Sequence, residues 1–283
     1  MRHGLQFDLE TLADRSRQRR QALQWLLAGG SAAMLVACGG GTSDTNTPSI
    51  VDPSSGTSAA TSGTCIANAS ETNGPYPSDG SNTVNGIVSN VLQQSGIVRS
   101  DIRPSFAISS NTAPGVPLTL TLRVVNSNNG CAALAGYAVY LWHCTRDGAY
   151  SLYSGGVQNE NFLRGVQVTD ANGEVIFTTI FPGCYAGRYP HIHFEVYTSL
   201  ALATLYTNRV LTSQMALPRA TCQTVYNTAS GYSQSVSNLA GVTIAGDGVF
   251  GDNSTAQMAQ MTPALAGSVD AGYSGSILVG VPA

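Results

Sequence analysis

The stretch that most constrains the chain runs from Asn161 to Tyr197, NFLRGVQVTDANGEVIFTTIFPGCYAGRYPHIHFEVY. Val166 to Thr169 and Glu174 to Ile180 alternate and are rich in β-branched residues, and Asp170-Ala-Asn-Gly173 between them is turn chemistry. The pattern predicts a β-hairpin. Pro182-Gly183 stops its second strand, and Pro190 allows only an edge or irregular start to a further strand over His191 to Tyr197. In a strand, residues i and i+2 share a face. His191 and His193 therefore project together while Ile192 turns into a core, an arrangement that offers two nitrogen ligands to one metal. A lone His-x-His reads equally well as a chance alternation of histidines.

The remainder supports a β-rich domain. Leu118 to Val125 (LTLTLRVV) alternates, and Gly136 to Cys144 (GYAVYLWHC), Arg209 to Met215, Val242 to Ile244 and Tyr273 to Val281 are further strand candidates. Asn126 to Gly130 and Arg146-Asp147-Gly148 are turns, as is the run around Gly74-Pro75. No helical periodicity stands out after the first 38 residues, and no repeat is present. The expectation is a mainly β fold, a single sandwich over residues 65–283.

The residues before it have another character. Arg19-Arg20 precede a short apolar run, Trp25 to Ala37, that ends in Leu35-Val-Ala-Cys38. A basic region, a short apolar region and small residues describe a secretory signal. The ending resembles a bacterial lipobox with Cys38 as the lipidated residue, and the arginine pair resembles a twin-arginine export signal. An ordinary cleaved signal with an incidental cysteine is the alternative. Residues 39–64 are nearly all Gly, Ser, Thr, Ala, Asn and Pro, which predicts a flexible tether. The expected location is a lipid-anchored position in the cell envelope, at the outer membrane by the resemblance of Gly39 after the cysteine, or secretion.

A formal net charge of −3 with 10% charged residues carries no nucleic-acid footprint. Beyond Cys38 five cysteines remain, Cys65, Cys131, Cys144, Cys184 and Cys222. Outside the cytoplasm they are disulfide candidates, and an odd number leaves at least one unpaired within the chain.

His143, His191 and His193 are the histidines of the 65–283 region. Two of them do not complete a metal site, but Tyr150 follows the Asp147-Gly148 turn and Tyr185 follows the Pro182-Gly183 break. A phenolate is a hard donor suited to ferric iron. These residues alone do not select iron over copper or zinc. His143, beside Trp142, reads as structural.

Trp142-His-Cys-Thr-Arg-Asp-Gly-Ala-Tyr150, Asn161-Phe-Leu-Arg-Gly-Val-Gln167 and Pro182-Gly-Cys-Tyr-Ala-Gly-Arg-Tyr-Pro-His-Ile-His193 resemble segments of the intradiol ring-cleavage dioxygenases. Thr72 with Gly74-Pro75-Tyr76, Ser100-Asp-Ile-Arg103 and Leu211-Thr-Ser-Gln214 extend the likeness, in order, over nearly all of residues 65–283. The secreted branch, similar to the protocatechuate 3,4-dioxygenase β subunit, is nearest. The resemblance implies one non-haem Fe(III) per chain, held by Tyr150, Tyr185, His191 and His193. It implies cleavage of catechol-type aromatics by O2 between the two hydroxylated carbons, giving muconate-type products. Tyr185 would leave the metal as substrate binds and take up a proton. Arg188, three residues before the first histidine ligand, would supply fixed positive charge, Gln214 would orient or polarise, and Tyr76 would line the substrate pocket. Cys184 stands where many relatives carry an aromatic; it opens the pocket or pairs with Cys144. The helical N-terminal domain through which cytosolic relatives dimerise has no counterpart, and the oligomeric state is open. The competing readings are a non-catalytic surface binding module on the same sandwich, a copper or zinc protein using only the two histidines, and a metal-scavenging lipoprotein.

Overall fold

The structure, a computed structural model, describes residues 65–283. The expected signal, Cys38 and the 39–64 tether lie outside the described residues. In chain order the elements are β1 (Asp79–Val84), β2 (Ile87–Asn90), β3 (Pro117–Asn126), β4 (Ala132–Ala133), β5 (Ala138–Trp142), β6 (Arg164–Val168) and β7 (Glu174–Ile180). There follow β8 (His191–Tyr197), β9 (Arg209–Ala216), α1 (Arg219–Thr228), α2 (Ser233–Ala240), α3 (Thr255–Met261), β10 (Ala264–Ser268) and β11 (Gly272–Val281).

Two sheets face each other, and β1 and β2 form a small hairpin beside them. One sheet has the order β10-β11-β3-β4, with β7 also paired to β3; the other has the order β6-β5-β8-β9. The alternation in β3 is what makes the interface: Leu118, Leu120, Leu122 and Val124 are wholly buried. They share one cluster with Val175 and Phe177 of β7 and Val279 of β11, and with Val139, Leu141, Ile192, Phe194, Val196 and Met215 of the other sheet. The fold is a mainly β sandwich, and Ile192 turns into its core as the strand period requires.

The opposite face of the β6-β5-β8-β9 sheet is also covered. Tyr140, Trp142, Val166 and Tyr197 form a second cluster with Val91, Leu92 and Ile97 of the N-terminal segment. That segment is fastened at several points. Glu71 N–H donates to Thr212 O at 2.8 Å, Arg99 N–H to Val166 O at 3.0 Å, and Cys65 is disulfide-bonded to Cys131.

The structure corrects four expectations. The Asp170–Gly173 turn forms, with Gly173 N–H donating to Asp170 O at 3.0 Å. Its flanking strands do not pair as a hairpin, however. β6 pairs with β5 over five positions and β7 with β3 over seven, so the turn is a corner between the two sheets. Alternation identifies a strand and says nothing of its partner. Val242 to Ile244 is not a strand but an irregular connection between α2 and α3. Three short helices exist where no helical periodicity was expected. In α1 the buried residues are Cys222, Val225 and Tyr226, an i, i+3, i+4 stripe too short to stand out, and α3 begins with a Ser254/Gln257 capping box. Cys184 does not pair with Cys144; both are free and buried, as is Cys222.

Candidate metal centre

Each donor is brought to the centre by a local device. β8 lies in register with β5 and β9, placing His193 between Trp142 on one side and Gln214 on the other. Trp142 stacks on His193 with ring centroids 4.9 Å apart and planes 7° from parallel. Tyr140 stacks in turn on Trp142 at 4.8 Å. Tyr150 follows the turn in which Gly148 N–H donates to Thr145 O at 3.0 Å. Gly148 has φ +88°, and a Cβ there would stand 3.0 Å from Tyr185 Cβ, so this glycine lets the two tyrosine-bearing loops touch.

The four side chains converge. His191 Nε2 lies 3.1 Å from His193 Nε2, 3.1 Å from Tyr185 Oη and 3.5 Å from Tyr150 Oη. His191 Nδ1 is 2.6 Å from Tyr189 O, an atom that can only accept, so Nδ1 carries the proton and Nε2 presents a lone pair to the other three donors. His193 Nδ1 is buried without a hydrogen-bond partner, and this ring is held by stacking instead. Burial, with Arg188 adding to it, lowers the His191 pKa to about 3. Burial, then His191, holds His193 well below its ordinary value. Both rings are neutral, as metal ligation requires.

Burial pushes Tyr150 well above its ordinary pKa, with Tyr185 adding to the effect. Burial raises Tyr185 too, against the opposing charge of Arg188. Two phenols enclosed with two lone-pair-bearing imidazoles make a donor set that a multivalent cation satisfies, because its charge offsets the cost of ionising the phenols. Among the described residues no group of three or more His, Cys, Asp or Glu forms a metal cluster; this set owes half its donors to tyrosine. The residues present fit a ferric ion.

Arg188 and Gln214 stand beside the set. Arg188 Nη2 donates to Gln214 Oε1 at 2.7 Å, and Gln214 Nε2 donates to Thr72 O at 2.8 Å. Thr72 begins the loop that covers His193: Gly74 has φ +69°, and a Cβ there would stand 3.3 Å from His193 Cε1. Tyr76 lies with its ring 4.8 Å from Tyr150 and 5.3 Å from Tyr153. His143 is apart from the donors, bonded to Cys144 O at 2.8 Å and Thr179 Oγ1 at 2.6 Å. A cavity of about 260 Å³ at the β1–β2 hairpin is lined by Ile87, Val88, Asn90 and Leu152 among others, and by none of the four donors.

Two neighbours were not visible in the sequence. Arg164 is wholly buried and donates to Ser151 Oγ (3.0 Å), Ser151 O (2.9 Å), Pro77 O (3.0 Å) and Tyr140 Oη (3.1 Å), tying the residues next to Tyr150 and Tyr76 together. Asp247, far along the chain, accepts from Arg188 Nε at 3.0 Å. Its distance in sequence hid it; Arg164 lies in the Asn161-Phe-Leu-Arg-Gly-Val-Gln167 segment, but nothing in its type announced a buried cation.

Residues 100–197 match the family model described as Dioxygenase. An intradiol ring-cleavage dioxygenase from Tetranychus urticae superposes with a TM-score of 0.57 at 25% identity, covering 77% of this chain and 96% of that one. The chain is similar to an intradiol ring-cleavage dioxygenase in fold and over these matched residues. A second solved dioxygenase superposes with a TM-score of 0.56 at 24% identity, over 77% of this chain and 95% of that one, and shares the fold. No curated protein matches the chain.

Proposed function

We propose that the chain is a non-haem Fe(III) intradiol dioxygenase that opens catechol-type rings with O2 between the two hydroxylated carbons, giving muconate-type products. The observation that carries this reading is the convergence of Tyr150, Tyr185, His191 and His193 around the Nε2 lone pair of His191. These four would hold the iron. Bound ferric iron would supply the Lewis acidity that favours both catechol oxygens as the dianion.

The remaining work falls to the protein. Tyr185 is half-buried while Tyr150 is enclosed, so Tyr185 Oη, ionised while it holds the metal, would be the atom placed to take a proton from an arriving catechol hydroxyl. Arg188 fixes a positive charge beside the two phenols. Burial alone lowers the pKa of its guanidinium, but the fields of Tyr185 and Asp247 outweigh that and leave it charged. A fixed charge in an enclosed site stabilises negative charge gathering on the substrate more than water does. Gln214 holds Arg188 through Oε1 and ties it to the Thr72 loop, and the Gly74-Pro75-Tyr76 stretch shields His193 from water. We further propose that residues 1–38 export the chain, that Cys38 is lipidated in the cell envelope, and that residues 39–64 tether the catalytic domain.

The test is the visible spectrum of the iron-loaded protein, before and after adding catechol without oxygen, followed by oxygen uptake over a panel of catechols. A tyrosinate-to-iron band that shifts to longer wavelength, and ring-opened product, are expected. A protein that stays colourless after ferric loading sinks the reading and leaves a binding module.

A further inference from the structure

Asp247 lies in the irregular connection between α2 and α3, with its side chain wholly buried. Its carboxylate is saturated. Oδ2 accepts from Arg188 Nε at 3.0 Å and Tyr189 N–H at 2.7 Å. Oδ1 accepts from Arg188 Nη2 at 3.3 Å, Val249 N–H at 2.9 Å and Phe250 N–H at 3.1 Å. The last two bonds are to its own turn, so the carboxylate is anchored before it meets the arginine.

We propose that Asp247 is the positioning residue for Arg188, fixing which edge of the guanidinium faces the substrate. The count of donors leads there. A guanidinium has five N–H bonds in a rigid plane. Asp247 occupies the one on Nε and one on Nη2, and Gln214 occupies the other on Nη2. Among the described residues no protein acceptor engages Nη1, and its two hydrogens are what remains for a ligand oxygen. A two-point hold on Nε and Nη2 also forbids rotation about the terminal bonds, so the free edge has one direction. Oδ2 also holds Tyr189 N–H, so the backbone that carries Arg188 is fixed together with its side chain. An aspartate serving only its own turn would need the bonds to residues 249 and 250 and nothing more. Burial raises its pKa, but Arg188 outweighs that and keeps Asp247 ionised.

The role in turnover rests on the proposed dioxygenase reading; the hold on Arg188 does not, and the experiment separates them. In the metal-free wild-type protein the Arg188 Nε–H signal, assigned by its loss in Arg188→Lys, should exchange slowly with solvent and shift in Asp247→Asn. A fast-exchanging signal in wild type, or one indifferent to Asp247→Asn, overturns the proposal whether or not the variant folds well. In the iron-loaded enzyme, Asp247→Asn should lower kcat by about 10- to 100-fold with catechol KM within about threefold and iron content unchanged. The loss should vanish in the Arg188→Met background, because a residue that acts through Arg188 has nothing left to position. Losses that multiply in the double variant overturn the proposal. A wild-type protein that turns over no catechol removes the dioxygenase reading and leaves the exchange measurement to decide the hold.

Discussion

The two faces of β8 are equally hidden from water and chemically opposite. Ile192, Phe194 and Val196 point into the sandwich and are wholly buried. His191, His193, Glu195 and Tyr197 point the other way and are no more than 2% exposed. The inner face is satisfied by packing alone. The outer face is satisfied one atom at a time: His191 by Tyr189 O, and Glu195 by the Tyr197 hydroxyl at 2.6 Å and the Thr212 hydroxyl at 3.2 Å. Burial, and then Asp79 beside it, raises the Glu195 pKa to about 8. A strand buried on both sides is ordinarily apolar throughout. Where one side carries imidazoles and a carboxyl instead, burial marks a site rather than a core.

The comparison predicts that damage to the two faces separates cleanly. On the outer face, His191→Ala removes the lone pair at the centre of the donor set. Iron per chain, measured by metal analysis, should fall below one equivalent and turnover should drop about a thousandfold or more. Full iron occupancy in that variant would show that the outer face is not a metal site. On the inner face, Phe194→Ala should cost about 3–5 kcal/mol in urea denaturation while the protein that remains folded keeps its iron and its spectrum. A Phe194→Ala protein that folds normally but has lost the band would mean that the faces are not independent.

A smaller effect tests the seam between the sheets. His143 is buried against Thr179 of β7, and burial lowers its pKa to about 4 from an ordinary value of 6.5. Above pH 6.5 it is neutral whether folded or not and contributes no slope. As pH falls from about 6.5 to 4, the unfolded chain takes up a proton that the folded one refuses, so stability is lost across that window. The loss is about 3 kcal/mol. His191 and His193 contribute in the same direction, so the measurement is the difference between wild type and His143→Gln in urea titrations from pH 7 to 4. The variant should have the shallower decline, and parallel curves would mean that His143 takes up its proton without strain.

Much of this was legible in the chain because it is local. β8 runs over His191 to Tyr197, the span its alternation predicts, and β3 and β9 also lie close to their predicted ranges. The convergence of Tyr150 and Tyr185 with the histidines was readable only through motif resemblance, since no periodicity connects residue 150 to residue 191. What stayed hidden depends on partners. The Asp170–Gly173 turn forms as its residues dictate, yet β7 pairs with β3 over seven positions and β6 with β5 over five, partners that lie far from the turn in sequence. Asp247 follows the same rule. Nothing in Gly246-Asp247-Gly248 distinguishes a turn aspartate from one that grips an arginine 59 residues earlier.

β11 runs parallel to β3 over nine positions and, among the described residues, is the only strand to which β10 pairs. It is therefore a central strand that is synthesised after every other strand of its sheet. Until it is made, β3 has one edge unpaired and β10 has nothing to join. A growing chain must carry that open, Leu- and Val-rich edge from the completion of β3 until β11 is made, in the long-range, slow-closing class of β topologies. Loss of residues 272–281 would accordingly leave not a slightly smaller sandwich but a molecule with an adhesive edge, whose readiest partner is another incomplete copy of itself.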